Sequence, residues 1–408
     1  MGAGDVAPEP SFGVILREWG RIGCVGFGGP PAHIALFREL CVERRNWLSG
    51  AQFERAIAAT NLLPGPASTQ LAIYCAWRLR GPRGALLGGL SFILPGLILI
   101  LALSALFLSH SPPRWLRGAG LGAGAAVAAV ALRAGLGLAA PIWRNAGGAR
   151  RPWLLAYGLA GAAAAALAGP WLVLVLLACG AVELGRRGMA GGGAGLHAWT
   201  AAWWGLARGA ADLLNRPRPA WPVLAASADP GGAGALVWTA FKVGALAFGG
   251  GFVIVPLMQS DAVGTYHWMT HGQFLNAVAL GQVTPGPITQ TVAAVGYSAG
   301  GLPGGLLAAL VAFTPSFSFI LLGAARFERL LVNERVLAFL SGAAPAAAGA
   351  IIGAAVPLAL AIGESWQYAV LAASAAALLL LHRAIVPTLI LAGCAGIAAA
   401  LLGAPISQ

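Results

Sequence analysis

The sequence predicts an all-α polytopic membrane protein made of two homologous halves, related as an inverted repeat and carrying broken or re-entrant helices. Three observations predict this class: long stretches without a charge, a second half that repeats the first, and matched Gly/Pro interruptions in both. Of 408 residues, 58% are hydrophobic and 9% charged, and the mean hydropathy is +0.78. A soluble domain carries about a quarter charged residues, which excludes an ordinary water-soluble enzyme. Disorder and nucleic-acid binding are excluded as main readings. No Asp, Glu, Lys or Arg occurs in 84–113, 152–182, 262–325 or 384–408. A spanning helix needs about 20 apolar residues, and each of these runs supplies them.

The repeat is read from punctuation rather than from apolar composition. Arg21-Ile22-Gly23-Cys24-Val25-Gly26-Phe27-Gly28-Gly29 recurs as Lys242-Val243-Gly244-Ala245-Leu246-Ala247-Phe248-Gly249-Gly250, 221 residues later. At the same offset Trp47 meets Trp268, Gln52-Phe53 meets Gln273-Phe274, and Pro64-Gly65-Pro66 meets Pro285-Gly286-Pro287. Carried on without a gap, it pairs Pro82 and Gly84 with Pro303 and Gly305, and Phe92 with Phe313. The domains expected are an N-terminal repeat over 1–187, a linker over 188–234 and a C-terminal repeat over 235–408.

Each half reads in the same order. A first apolar stretch (12–27; 235–248) runs into Phe-Gly-Gly, and a second (31–41; 252–263) leads to a polar loop holding Trp47 or Trp268. A third (53–63; 274–284) runs into Pro-Gly-Pro, and a fourth (67–79; 288–299) reaches a loop. Longer spans come next: 84–108, 116–141, 153–168 and 171–182, then 302–325, 336–362, 366–381 and 384–402. The linker is Gly-rich and then carries Arg208, Arg216 and Arg218; 199–207 within it reads as an interfacial or crossing helix. Met1–Pro10 lacks the basic region of a signal peptide.

Charge sets the orientation. The net charge is +12, and all but one of the 25 basic residues are arginine, the exception being Lys242. Cytoplasmic loops collect such residues. The loop at 77–83 carries Arg78, Arg80 and Arg83, whereas 298–304 carries none. The loop at 143–152 carries Arg144, Arg150 and Arg151, against a lone Glu364 in its counterpart. His382-Arg383 answers an uncharged Gly169-Pro170. The halves are therefore expected to face opposite ways, with Arg114 and Arg117 as the one dissenting loop.

The interruptions point to a binding site. Gly and Pro leave backbone groups unpaired, which at membrane depth is tolerated only where the backbone is buried in protein or lines a cavity. Paired interruptions in two halves are the sequence pointer to a transporter's site; helix kinks serving packing alone are the plainer reading. Pro66 and Pro287 suit the first position of a new helix, whose N-terminus offers N–H donors and partial positive charge to an anion. Ser68, Thr69 and Gln70, and Thr289, Gln290 and Thr291, lie in the first turn, with capping as their alternative role. Arg21 and Lys242 stand at equivalent positions before the Phe-Gly-Gly breaks, either as cations for the anion or snorkelling to the interface.

The remaining chemistry is sparse. Among Glu18, Glu39, Glu54 and Asp261 no proton carrier stands out, and Glu18 reads as a salt-bridge partner for neighbouring arginines. His33 could titrate near neutral pH but reads more simply as a packing residue. His267 and His271 have helical spacing without further ligands, so no metal site and no cofactor is expected. Cys24, Cys41, Cys75, Cys179 and Cys394 read as small buried hydrophobes, neither disulfides nor metal ligands.

Phe-Gly-Gly followed about 35 residues later by Pro-Gly-Pro, twice in one chain, resembles the chromate ion transporter family. The resemblance is best over 12–92 and 235–313. It implies an inner-membrane, multi-pass exporter of chromate driven by the proton-motive force, with antiparallel homologous halves. The residues it carries over are Arg21, Gly28, Gly29, Pro64, Gly65 and Pro66, with Lys242, Gly249, Gly250, Pro285, Gly286 and Pro287. The first motif reads Phe-Gly-Gly-Pro-Pro where the second reads Phe-Gly-Gly-Gly-Phe, so the two sites are expected to be unequal. The expected partners are a tetrahedral oxyanion and the lipid bilayer, with a homodimer left open and no nucleic acid. A carrier for sulfate or another oxyanion is the first alternative, since both anions are tetrahedral dianions; an anion channel and a membrane-embedded enzyme are the others.

Overall fold

The computed structural model describes residues 9–108, 112–168, 172–189, 231–247, 253–324 and 333–406, and these are helical throughout apart from turns and breaks. In the first half they form α1 (Phe12–Val25), α2 (Pro30–Arg38), α3 (Gly50–Leu62), α4 (Ala67–Phe107), α5 (Arg114–Arg144), α6 (Arg151–Ala163) and α7 (Leu172–Met189). In the second they form α8 (Ala233–Leu246), α9 (Ile254–Gln259), α10 (His271–Val283), α11 (Thr291–Gly323), α12 (Glu334–Leu360), α13 (Ser365–Ala375) and α14 (Ile385–Leu401). Residues 199–207 of the expected linker lie outside the described residues; α7 carries the first repeat on to Met189.

The halves match in local detail. A wide π turn extends α2 over Glu39–Arg44 and α9 over Ser260–Thr265. Capping boxes start α3, with Ser49 and Gln52, and α10, with Thr270 and Gln273; each satisfies two otherwise unpaired amides. Asn46 and His267 occupy the same left-handed conformation, with φ of 50° and 53°. His267 therefore sits in a loop while His271 opens α10, so their spacing is not that of one helical face.

The ungapped pairing fails after Pro-Gly-Pro. The first half turns α-helical at Ala67, whereas the second begins with a 3₁₀ turn over Ile288–Gln290. Three residues at about 2.0 Å rise cover the same ~6 Å as four at about 1.5 Å, so the second half omits one residue without displacing the helix beyond it. From there the offset is 220. Thr69-Gln70 matches Thr289-Gln290, Gly81 matches Gly301, and Pro95 matches Pro315. The pairings of Pro82 with Pro303, Gly84 with Gly305 and Phe92 with Phe313 are corrected accordingly. The stretches at 77–83 and 298–304 are not loops either. They are kinks in α4 and α11, where Gly81 (φ 62°) and Gly301 (φ 61°) supply a conformation costly for other residues.

Each half opens with two helical hairpins. The 14 residues of α1 reach only about 21 Å, short of a ~30 Å hydrocarbon core, and α1 breaks at Gly26–Gly29 before the chain returns as α2. Helix α3 and the first arm of α4 form the second hairpin, with Pro-Gly-Pro at its tip. The bases of the equivalent hairpins in half two are tied together: Trp268 Nε1 donates to the Gly231 carbonyl at 2.8 Å, and Ser298 Oγ donates to the Trp268 carbonyl at 2.7 Å. In half one Trp19 stacks on Trp47 and donates to the Ala72 carbonyl.

Among the described residues, four helices are long and apolar enough to cross a membrane: Ala67–Phe107, Arg114–Arg144, Ile288–Gly323 and Glu334–Leu360. Ile98, Leu310 and Leu360 on three of them are exposed, as a lipid-facing surface requires. The halves are intertwined rather than side by side. Helix α5 packs on α13 and α14 of the second half, and α12 packs on α6 and α7 of the first, with α5 and α12 in mutual contact. Small residues permit it. An added Cβ on Gly161 would lie 1.9 Å from the Ala346 carbonyl oxygen, and one on Gly349 would lie 1.9 Å from that of Gly158. Backbones approach this closely in membranes because the lipid offers no hydrophobic drive and packing must supply the attraction.

All five cysteines are free. Cys41, Cys75 and Cys179 are buried as expected, but Cys24 and Cys394 are exposed, corrections explained by their outward-facing positions on apolar helices.

Candidate functional site

The hairpin tips of the two halves touch. The Gly286 amide donates to the Gly26 carbonyl at 3.0 Å, joining Pro-Gly-Pro of half two to the first break of half one. The Ile288 side chain lies against Gly29, and Gly65 lies against the Gly244 carbonyl and Ser316 Oγ. Gly96, on the second arm of α4, faces the Pro285 carbonyl and the Gln290 side chain. Gly28, Gly29, Gly65 and Gly286 all have positive φ, at 101°, 74°, 119° and 94°; the sharp turns at the tips need glycine. Gly249 and Gly250, expected to complete the set, lie outside the described residues.

Around these tips sits a set of buried polar atoms without partners. Among the described residues, Thr69 Oγ1, Gln70 Oε1, Thr289 Oγ1, Gln290 Oε1 and Ser316 Oγ have no hydrogen bond, and all five residues are fully buried. Burying such a group unpaired costs about 1–3 kcal/mol. The two glutamines are oriented by their other ends: Gln70 Nε2 donates to the Pro64 carbonyl at 2.7 Å and Gln290 Nε2 to the Ile93 carbonyl at 2.8 Å. The threonine and serine hydroxyls have a proton to give. The glutamine oxygens need a donor, which hydration water or a protonated oxyanion supplies. Ser68 is also buried, at 2% exposure. Thr291 is different, because its hydroxyl donates to the Ile288 carbonyl at 2.8 Å and is satisfied by the 3₁₀ turn that precedes its helix. Pro66 and Pro287, expected as the first helical residues, are instead the N-caps immediately before the helical turns, because their ψ of 102° and 132° is still extended.

The two cations are engaged elsewhere. Lys242 Nζ lies 2.5 Å from Asp261 Oδ2, and Thr239 donates to the same oxygen at 3.0 Å. This pair was not legible because the partners are on separate helices. Arg21 lies 3.6 Å from Glu18, which Arg44 and Arg45 also grip at 2.8 and 2.9 Å. Glu18 is thus a salt-bridge partner as expected, but its tightest contacts come from Arg44 and Arg45, 26 and 27 residues further along the chain, rather than from Arg17 or Arg21 beside it. Glu54 pairs with Arg38. His33 is fully buried, with Nε2 donating to the Gly26 carbonyl at 2.8 Å and its ring edge-on to Phe92. It braces the first break, and its Nδ1 has no partner among the described residues.

Ser316 is an addition to the expected site, whereas Gln70 is among the first-turn residues that the sequence singles out, and the Thr-Gln dipeptide common to both halves once the one-residue gap is allowed reinforces it. Ser316 has no sequence signal, since it reaches Gly65 from a distant helix.

Two matched interruptions, a shared Thr-Gln and crossing tips narrow the family, and comparison decides it. The family model for chromate transporters matches residues 14–184 and 234–400. The chain belongs to the chromate transporter family. It is 30% identical over 412 residues to the chromate transport protein of Cupriavidus metallidurans, covering 96% of this chain and 94% of that one. It is 32% identical over 362 residues to the chromate transport protein of Pseudomonas aeruginosa, covering 88% and 84%. A probable chromate transport protein of Synechococcus elongatus is 29% identical over 356 residues, covering 86% of each. No solved structure matches. As a member of this family the chain is a multi-pass membrane transporter and not an enzyme.

Proposed function

We propose that this transporter is a secondary carrier that exports chromate across the cytoplasmic membrane, coupled to the proton-motive force, and that it holds the anion at the crossing hairpin tips. The observation that carries the reading is the cluster of unpaired buried polar atoms at Thr69, Gln70, Thr289, Gln290 and Ser316. Protein interiors rarely leave such groups unmatched, and the first four belong to equivalent first turns of two repeats. An oxyanion entering with part of its hydration shell would satisfy them. Proline at the helix starts and glycine at the tips leave room for backbone donors beside the hydroxyls. Gly286 already donates its amide to Gly26, so the tips must part to admit the anion, as alternating access requires.

An inverted relation of the halves is part of the proposal. Gly89 faces the Phe317 ring while Gly305 faces Leu101, so the second arms of α4 and α11, which are equivalent, pass each other in opposite order. The hairpin bases also differ in charge. Arg44, Arg45, Arg80 and Arg83 mark that of half one, whereas Tyr266, Trp268 and Ser298 mark that of half two. Placing the basic end in the cytoplasm follows the positive-inside rule. The tip cluster is drawn from one chain, so a homodimer would pair two carriers rather than build a shared site.

The test is chromate uptake into everted vesicles with an imposed pH gradient, run against sulfate. Gradient-dependent accumulation of chromate is expected. Downhill equilibration alone would mean a channel, and preferred accumulation of sulfate would replace the substrate.

A further inference from the structure

The base of the first hairpin holds a feature that its counterpart lacks. Arg17, Glu18, Arg21, Arg44 and Arg45 line an open basin of about 340 Å³. Glu18 is 7% exposed, and Arg21, Arg44 and Arg45 converge on its two oxygens. One carboxylate among four guanidinium groups leaves three positive charges unmatched. Glu18 thus acts as a post that holds the arginine heads in place, and their side chains stay 38–50% exposed where they meet it. Arg45 is held further by the Trp47 ring, 5.7 Å away. Arg17 and Arg21, one turn apart, share a face of α1. Arg21 stands five residues before Gly26, about 7.5 Å of helix rise from the tip.

In half two the equivalent positions are Trp238, Thr239, Lys242, Thr265 and Tyr266. Arg17, Glu18, Arg44 and Arg45 therefore have no charged counterpart, and Lys242, which answers Arg21, is closed off by Asp261. Among the described residues, a pseudo-symmetric carrier built this way has one strongly positive mouth and one without matching charges.

We propose that this basin is a second anion site, which collects tetrahedral oxyanion dianions at the mouth of half one and delivers them to the hairpin tips. The proposal rests on the transport reading above. Guanidinium forks match the oxygens of such anions in pairs, and a low-dielectric cleft lined by one sign of charge concentrates the opposite ion by about 10- to 1,000-fold. A lipid phosphate headgroup shares this chemistry, so the experiment separates the two sources.

Wild type, Arg44→Gln/Arg45→Gln and Arg17→Gln are reconstituted in phosphatidylcholine vesicles, and chromate flux from the basin side is measured at low and high salt. Calorimetry with inorganic sulfate on the purified proteins runs beside it. The expected result is a KM about tenfold higher in the double variant at low salt, an unchanged kcat, a flattened salt dependence and weaker sulfate binding. Arg17→Gln, which leaves the grip on Glu18 intact, should show the same changes to a smaller degree. Unchanged KM and sulfate affinity in both variants would overturn the proposal. Adding phosphatidylglycerol should leave wild-type KM unaltered; a rise in wild type that the double variant does not share would make the headgroup the resident ligand and overturn substrate capture. If wild type carries no chromate, the transport reading fails by itself, and sulfate binding lost in the double variant would still uphold the anion site.

Discussion

Thr69→Val and Thr289→Val test the site through two readouts that should move in opposite directions. Both hydroxyls are fully buried and have no partner among the described residues. Valine keeps the branched shape and removes the hydroxyl, so with no anion added each variant should be relieved of a desolvation penalty of about 1–3 kcal/mol. Its thermal midpoint in detergent should hold or rise. A hydrogen bond to a charged partner contributes about 1.5–3 kcal/mol, so each variant should weaken chromate affinity by about 10- to 150-fold. The two threonines are equivalent by sequence, but Thr69 lies in an α-helical first turn and Thr289 in a 3₁₀ turn, so each variant is read on its own. Differential scanning fluorimetry gives the first quantity and chromate flux in proteoliposomes the second. If either variant keeps the wild-type KM, its hydroxyl does not touch the anion. If both lose stability, the hydroxyls are structural and the reasoning from unpaired atoms is refuted.

Four further outcomes rest on particular contacts. Lys242→Met leaves Asp261 buried without its cation and should cost about 3–5 kcal/mol, whereas Lys242→Met/Asp261→Leu should recover most of it; thermal unfolding of both proteins decides, and a double variant no better than the single would refute the pair's isolation. Gly65→Val should abolish transport, because the residue has φ of 119° and an added Cβ would lie 2.5 Å from Gln70 Nε2; wild-type flux would show that the tip tolerates a side chain. Gly349→Val should prevent α6 from meeting α12, at a cost of about 1–3 kcal/mol or more, seen as loss of monodisperse protein on purification. In a cysteine-free background, Arg83→Cys and Leu302→Cys should react with an impermeant maleimide from opposite sides of the membrane, and labelling from one side would mean parallel halves.

Much of this protein is written in the order of its residues. Uncharged runs longer than a bilayer is thick require spanning helices, because an open, irregular backbone is not satisfied in lipid. Gly and Pro at matched positions dictate the breaks, since φ above zero at Gly28, Gly65 and Gly286 and the missing amide of Pro66 and Pro287 are local properties. The capping boxes at Ser49 and Thr270 are equally local, and so is the pairing of Glu18 with Arg21 one turn away, whereas Arg44 and Arg45 reach Glu18 from another segment. The sequence also misleads where the repeat is assumed to run without a gap. The 3₁₀ turn at Ile288–Gln290 hides a deleted residue, because rise per residue is a conformational quantity and not a compositional one.

What only the tertiary structure decided is which distant groups meet. Lys242 stands before a break and reads as an anion's cation, yet Asp261 reaches it from the returning arm of the hairpin. Ser316 comes to Gly65 from another helix, and Gly286 of one half bonds Gly26 of the other. The exchange of α5 and α12 between halves depends on which glycine faces which carbonyl, as at Gly161 with Ala346. Local preference fixes a residue's own backbone, but contact between segments depends on the relative placement of whole helices. That placement is set by packing summed over many small residues, none of which carries a sign of its partner.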